Sequence, residues 1–158
     1  MNAKPVILIA VAVAAVTAAV ISFPQRMPDA ANANLFPYAD QDAVMRGATL
    51  YAENCASCHG VNLQGQDNWR APAANGRAAA PPHDETGHTW HHPDIQLFQI
   101  VKFGTAALVG NGYESDMAGY EGLLSDAEIL DILAYIKSTW PDDIIERHNA
   151  MNAAAGNQ

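Results

Sequence analysis

The chain has 158 residues, 49% hydrophobic and 16% charged, a composition that suits one globular domain and excludes a disordered acidic tail or a collagen-like polymer. Seventeen Asp and Glu against eight Lys and Arg leave a formal charge of −9, too few bases to build a phosphate-binding face, so nucleic acid is excluded as a partner. The two cysteines, Cys55 and Cys58, are too few for a disulfide scaffold and point to a chemical motif.

Lys4 is followed by Pro5 to Phe23, nineteen residues without a charge, sixteen of them apolar. As a helix this run is roughly 28 Å long, close to the thickness of a bilayer's hydrocarbon core. Residues 1–23 therefore read as a signal-anchor or a signal peptide. A signal peptide's apolar region is shorter, about 7–15 residues. The best Ala-x-Ala site, Ala31-Asn32-Ala33, lies ten residues past Phe23. Both facts favour a retained helix, with residues 5–23 in the lipid bilayer, over cleavage to a soluble periplasmic form. Lys4 and the α-amino group leave the N-terminus in the cytoplasm and the domain on the periplasmic side. Residues 24–37, with Pro24, Pro28 and Pro37, read as a flexible spacer.

The folded domain is expected over residues 38–151, with 152–158 a disordered tail. A helix is predicted from about Asp40 to Glu53, capped by Asp40 or Asp42, with Val44, Gly47, Ala48 and Tyr51 on one side. From Gly60 to His92 there is little periodicity, with Asn75-Gly76, an Ala-rich run and Pro81-Pro82, so this stretch reads as a loop. A loop that long fits a compact domain only if something fills the space it wraps, which hints at a large cofactor. Pro93-Asp94 opens a helix to about Phe103, with Ile95, Phe98 and Ile100 or Val101 inward, and Gly104 stops it. Gly110 to Gly122 is again loop. The strongest helix runs from Ser125 to about Ser138, with Ser125 and Glu128 as a capping box and Ile129, Ile132, Leu133 and Ile136 as its buried stripe. Pro141 ends it, and a short extra helical turn follows over Asp142 to Met151. No segment alternates polar and apolar residues over strand length, so the fold class is all-α.

Cys55-Ala56-Ser57-Cys58-His59 is a C-x-x-C-H sequence, the attachment signature of c-type haem. Two thiols three residues apart on a helical turn reach one edge of the ring and form thioethers with its vinyl groups. His59, the next residue, then falls beneath the iron as an axial ligand. The competing chemistries lack their context. A thioredoxin-like pair wants a preceding strand, and a structural zinc site wants four ligands, usually from paired motifs. A second strong ligand would make the iron an electron carrier, whereas an open position would make it a binder or catalyst. Of the five methionines, Met1 and Met27 lie outside the domain, Met45 is on the first helix and Met151 is near the end. Met117, in a Gly-flanked loop 58 residues after His59, is best placed to cover the opposite haem face.

Leu50-Tyr51 leading into Cys55-Ala56-Ser57-Cys58-His59-Gly60, then Met117-Ala118-Gly119-Tyr120, then Leu133-Ala134-Tyr135-Ile136-Lys137 resemble, in order and spacing, a class I c-type cytochrome. The resemblance covers about Tyr38 to Pro141 and extends to a single-haem, membrane-associated bacterial subgroup. It implies a small all-α fold around one covalently attached haem c, held by Cys55 and Cys58 and ligated by His59 and Met117. It also implies that the first and last helices cross, with Gly47 and Tyr51 facing Ile132 and Tyr135, and that Pro82 orients the proton of His59. The sequence departs from the family at Met117-Ala118, where Met-Pro is usual; this loosens the ligand loop.

His83, His88, His91 and His92 lie within ten residues. They read either as a copper or zinc site or, better, as turn and cap residues, because their spacing matches no helix face. Trp69 and Arg70 either hydrogen-bond haem propionates or are a packed Trp and a surface Arg; no role is expected of Arg77. The leading function is a one-electron carrier, not an enzyme. It would shuttle between a membrane-bound donor and acceptor, such as a terminal oxidase, outside the cytoplasmic membrane. The alternatives are an open-iron protein for gas sensing or peroxide chemistry, and a copper-handling assembly module using the histidine-rich loop.

Overall fold

The computed structural model describes residues 34–156. The apolar run at 5–23 and most of the expected spacer lie outside the described residues. No helix among the described residues is long and apolar enough to cross a membrane.

Among the described residues, six α-helices carry the fold. They are α1 (Gln41–Asn54), α2 (Ala56–His59), α3 (Asp94–Phe103), α4 (Thr105–Val109), α5 (Asp126–Ser138) and α6 (Asp142–Ala155). Among the described residues there are isolated bridges but no strand. Helix α1 starts where Asp40 accepts from the backbone N–H groups of Asp42 and Ala43, satisfying two of the free donors of a helix start. Its buried residues, Ala43, Gly47 and Tyr51, are four apart and so share one face. That face crosses α5, which Ser125 and Glu128 cap reciprocally and which buries Ile129, Ile132, Leu133 and Ile136. Gly47 permits the crossing. A Cβ there would sit 1.9 Å from the Asp131 carbonyl oxygen and 3.0 Å from Tyr135 Cβ, so only glycine lets the two backbones approach. Beside it, Arg46 grips Asp131 through two bonds of 2.7 and 3.2 Å. Tyr51 and Tyr135 meet at 5.5 Å between ring centroids.

Three elements differ from expectation. The inward face of α3 is Asp94, Leu97 and Phe98, with Ile95 and Val101 only partly buried. The helix turns this way because Asp94 is itself needed inside, where its Oδ2 accepts the Leu35 N–H at 2.8 Å. That bond brings Leu35 and Phe36, expected to be spacer, into the fold, and Phe36 is fully buried. Helix α6 is not a short turn with a frayed end at Asn152. It runs fourteen residues to Ala155 and buries Ile144, His148 and Asn152, the last accepting the Asp94 N–H at 2.8 Å. Finally, the five-residue α4 falls in a stretch for which no element was predicted.

Candidate functional site

Helix α1 passes almost unbroken into the Cys-x-x-Cys-His turn, because the Cys55 N–H donates to the Tyr51 carbonyl at 2.8 Å. The Tyr51 hydroxyl donates to the Gly60 carbonyl at 2.8 Å, closing the turn from its far end. Both thiols are free, Cys55 half-buried and Cys58 exposed. Burial, with Cys58 as a lesser cause, pushes the Cys55 thiol up to about 11.

His59 is buried, and its Nδ1–H donates to the Pro81 carbonyl at 2.9 Å. That bond fixes ring and tautomer and leaves Nε2 as the nitrogen available to iron. Burial lowers its pKa, with the Pro81 bond opposing, so the neutral, ligating form is favoured. The orienting group is therefore Pro81 and not the expected Pro82. Pro82 does a neighbouring job: it is buried, and a Cβ on Gly65 or Gly87 would strike its backbone at 2.4 or 2.0 Å. Two adjacent prolines leave the choice of carbonyl open in sequence; the packing of Gly65 and Gly87 against Pro82 decides it.

His83 lies against the His59 ring, nearly parallel, with centroids 4.0 Å apart. It is held by its Nδ1, 2.8 Å from the Thr89 hydroxyl, by its N–H to the Leu63 carbonyl at 2.7 Å, and by its carbonyl, which accepts from Trp140 Nε1 at 2.7 Å. Burial drives its pKa well down, with His59 and His88 adding to the effect. The other histidines go elsewhere. His88 stacks on Trp69 at 5.2 Å, His91 on Trp90 at 3.6 Å, and His92 meets the edge of His88 at 5.3 Å. Among the described residues no three His, Cys, Asp or Glu side chains gather as a metal site. Trp69 carries His88 on its ring and the Arg70 guanidinium 4.2 Å from its centroid. Arg70 also reaches the Thr86 carbonyl at 3.4 Å.

Met117 is half-buried, in the loop between α4 and α5. After it, Ala118 bridges Gly104, and the Tyr120 and Glu121 N–H groups donate to Val101 and Lys102 carbonyls at 3.0 and 2.9 Å. The Tyr120 hydroxyl donates to the Asn54 carbonyl at 2.6 Å, joining this loop to the residue before Cys55. The donor chemistry fits a covalently attached haem: two free thiols on one turn, followed by a buried imidazole with one nitrogen already engaged.

Comparison with known proteins points the same way. The family model described as Cytochrome c matches residues 44–140. The chain is 32% identical over 97 residues to a cbb3-type cytochrome c oxidase subunit CcoP of Azospirillum brasilense, covering 61% of this chain and 28% of that protein. It is 31% identical over 98 residues to the subunit of the same name from Azospirillum sp. (strain B510), covering 62% and 29%. It thus spans less than a third of the length of either relative. No solved structure matches it. The Cys-x-x-Cys-His turn, the tethered His59 and the family match over most of the described residues lead to one assignment: the chain belongs to the cytochrome c family, whose domain implies a covalently bound haem c.

Proposed function

We propose that the protein is a one-electron carrier, not an enzyme, with a single haem on Cys55 and Cys58 and with His59 and Met117 as axial ligands. The observation that carries this reading is the tether of His59 to Pro81, which presents a neutral imidazole of fixed orientation directly after two free thiols. The anchoring of residues 118–121 to the end of α3 supports Met117 as the partner ligand, since a thioether binds well only from a loop that is held in place. A haem so ligated supplies reversible one-electron exchange and keeps no coordination site for a substrate.

In this reading the domain works outside the cytoplasmic membrane, tethered by residues 5–23 where that segment is retained. Such a tether raises the effective concentration near membrane-bound partners. The relatives are named as subunits of a cbb3-type oxidase, which supports a terminal oxidase as a partner, and in this reading a membrane-bound donor supplies the electron.

The test is the optical spectrum of the holoprotein, oxidised, reduced, and reduced under carbon monoxide, beside Met117→Ala. We expect a ferric sulfur-to-iron band and no carbon monoxide shift in the wild type. The variant should lose the band and bind carbon monoxide. A wild type that binds carbon monoxide readily would sink the reading and bring gas or peroxide chemistry forward.

A further inference from the structure

The two sides of the Met117 loop are held by different means. The side after Met117 is pinned by backbone. Ala118 bridges Gly104, and a Cβ on Gly119 would lie 2.5 Å from the Phe103 carbonyl carbon, so this half lies flush on the end of α3. The side before Met117 stands clear. A Cβ on Gly110 or Gly112 would meet nothing within 4 Å, and the Met117 N–H makes only a local bond, to the Ser115 hydroxyl at 3.1 Å. What holds this half is a side-chain clamp from the long loop between α2 and α3. Arg77 Nη1 donates to Asp116 Oδ1, Arg77 Nη2 reaches Glu114 Oε2 at 3.4 Å, and Asn75 Nδ2 donates to Asp116 Oδ2 at 2.9 Å. Both oxygens of the residue next to Met117 are therefore taken.

The clamp is built before it meets its target. Pro72 bridges Ala78, and the Gly76 and Ala73 N–H groups donate to the Ala73 and Arg77 carbonyls, each at 2.8 Å. Asn75 works at both ends of its amide, its Oδ1 accepting the Arg77 N–H at 3.0 Å while Nδ2 holds Asp116. The residue after Met117 is alanine, which gives the loop none of the stiffness that a fixed φ would supply.

We propose that Arg77, set by Asn75, is a positioning residue for Met117: it holds the upstream half of the ligand loop through Asp116 and Glu114. The proposal rests on the reading that Met117 ligates the iron.

Displacement of Met117 from the oxidised holoprotein by added imidazole tests it, followed through the ferric sulfur-to-iron band. Arg77→Gln should lower the imidazole concentration at half displacement by about fivefold, the scale of a partly exposed ion-pair network. Asp116→Asn should give a similar shift. The double variant should be no worse than either single one, because both remove the same clamp. Arg77→Lys, which keeps the charge but loses the fork, should recover part of the effect. A general loss of packing would instead lower global stability and add in the double variant. Unchanged half-displacement in Arg77→Gln, or additive shifts in the pair, overturns the clamp while leaving His/Met ligation intact. If the wild type has no such band, or Met117→Ala keeps it, the ligation reading falls and the clamp falls with it.

Discussion

His148 is wholly buried on α6, yet every polar atom of its ring has a use. Its Nε2–H donates to the His92 carbonyl at 2.9 Å, and its Nδ1 faces the Asn152 amide at 3.5 Å. Trp140 meets its ring edge-on at 5.0 Å, and Phe36 stacks on it at 6.5 Å. Asp94 Oδ1 is 3.5 Å from Nε2 and 3.7 Å from the buried ammonium of Lys137, which also lies 4.6 Å from the Tyr38 ring centroid. Burial first, then Lys137, lowers the His148 pKa, with Asp94 and the His92 bond opposing. The folded protein therefore keeps this ring neutral at a pH where the unfolded chain has begun to protonate it. As pH falls through the ordinary histidine value of 6.5, the unfolded state binds the extra proton and stability drops. The denaturation midpoint of the holoprotein should fall between about pH 7.5 and 5.5, and His148→Gln should show a shallower fall over the same range. His83 and His88 are lowered too, also mainly by burial, but they contribute alike to both proteins. Equal slopes in the two would show that His148 is not among the groups that set acid stability.

At the scale of elements, the fold rests on the crossing of α1 and α5, where the Gly47 position faces backbone rather than a side chain that could move aside. Gly47→Ala must push the helices apart or bend one of them, against interior packing that leaves little slack. We expect a loss of about 3 kcal/mol in chemical denaturation of the holoprotein; a change under about 0.5 kcal/mol would mean that the crossing is looser than the contact implies. The two helices were legible in sequence because each announces itself locally, whereas their crossing came only from the family resemblance. Asp40 and the Ser125–Glu128 pair mark starts, and Ile129, Ile132, Leu133 and Ile136 fall at helical spacing. Helix α6 was legible after Pro141 as a short helical stretch over Asp142 to Met151, but not to its end at Ala155. Its buried face includes His148 and Asn152, polar residues that read as surface until Asp94 and the His92 carbonyl are seen opposite them. For the same reason Leu35 and Phe36 passed for spacer: what anchors them is Asp94, 59 residues on from Leu35. In the site, Cys55, Cys58 and His59 follow from spacing alone. The carbonyl that orients His59, the ring stacked on it and the Arg77 clamp are tertiary pairings between loop residues, and no periodicity encodes them.

On the scale of the whole molecule, seventeen acids against eight bases surround the protein with a negative field. Within the described residues, several of the bases are already spent inside it. Arg46 is on Asp131, Lys102 on Asp126, Arg147 on Asp143, and Lys137 is buried. Arg77 is on Asp116 and Glu114. Among the described residues that leaves Arg70, on the long loop between α2 and α3, as the base held by no acid: it lies over the Trp69 ring and reaches the Thr86 carbonyl. Electron exchange with small inorganic reagents separates the overall field from a local one. If the net charge governs approach, a cationic complex should react faster at low salt and slow as ionic strength rises from about 10 to 200 mM, while an anionic complex should speed up. Stopped-flow traces with one reagent of each sign give both slopes. The reverse pattern would mean that electrons leave through a region where Arg70 outweighs the surrounding acids, and the docking partner would then need an acidic face. With the expected pattern the partner's face should be basic, and raising the salt should weaken its association chiefly through the on-rate.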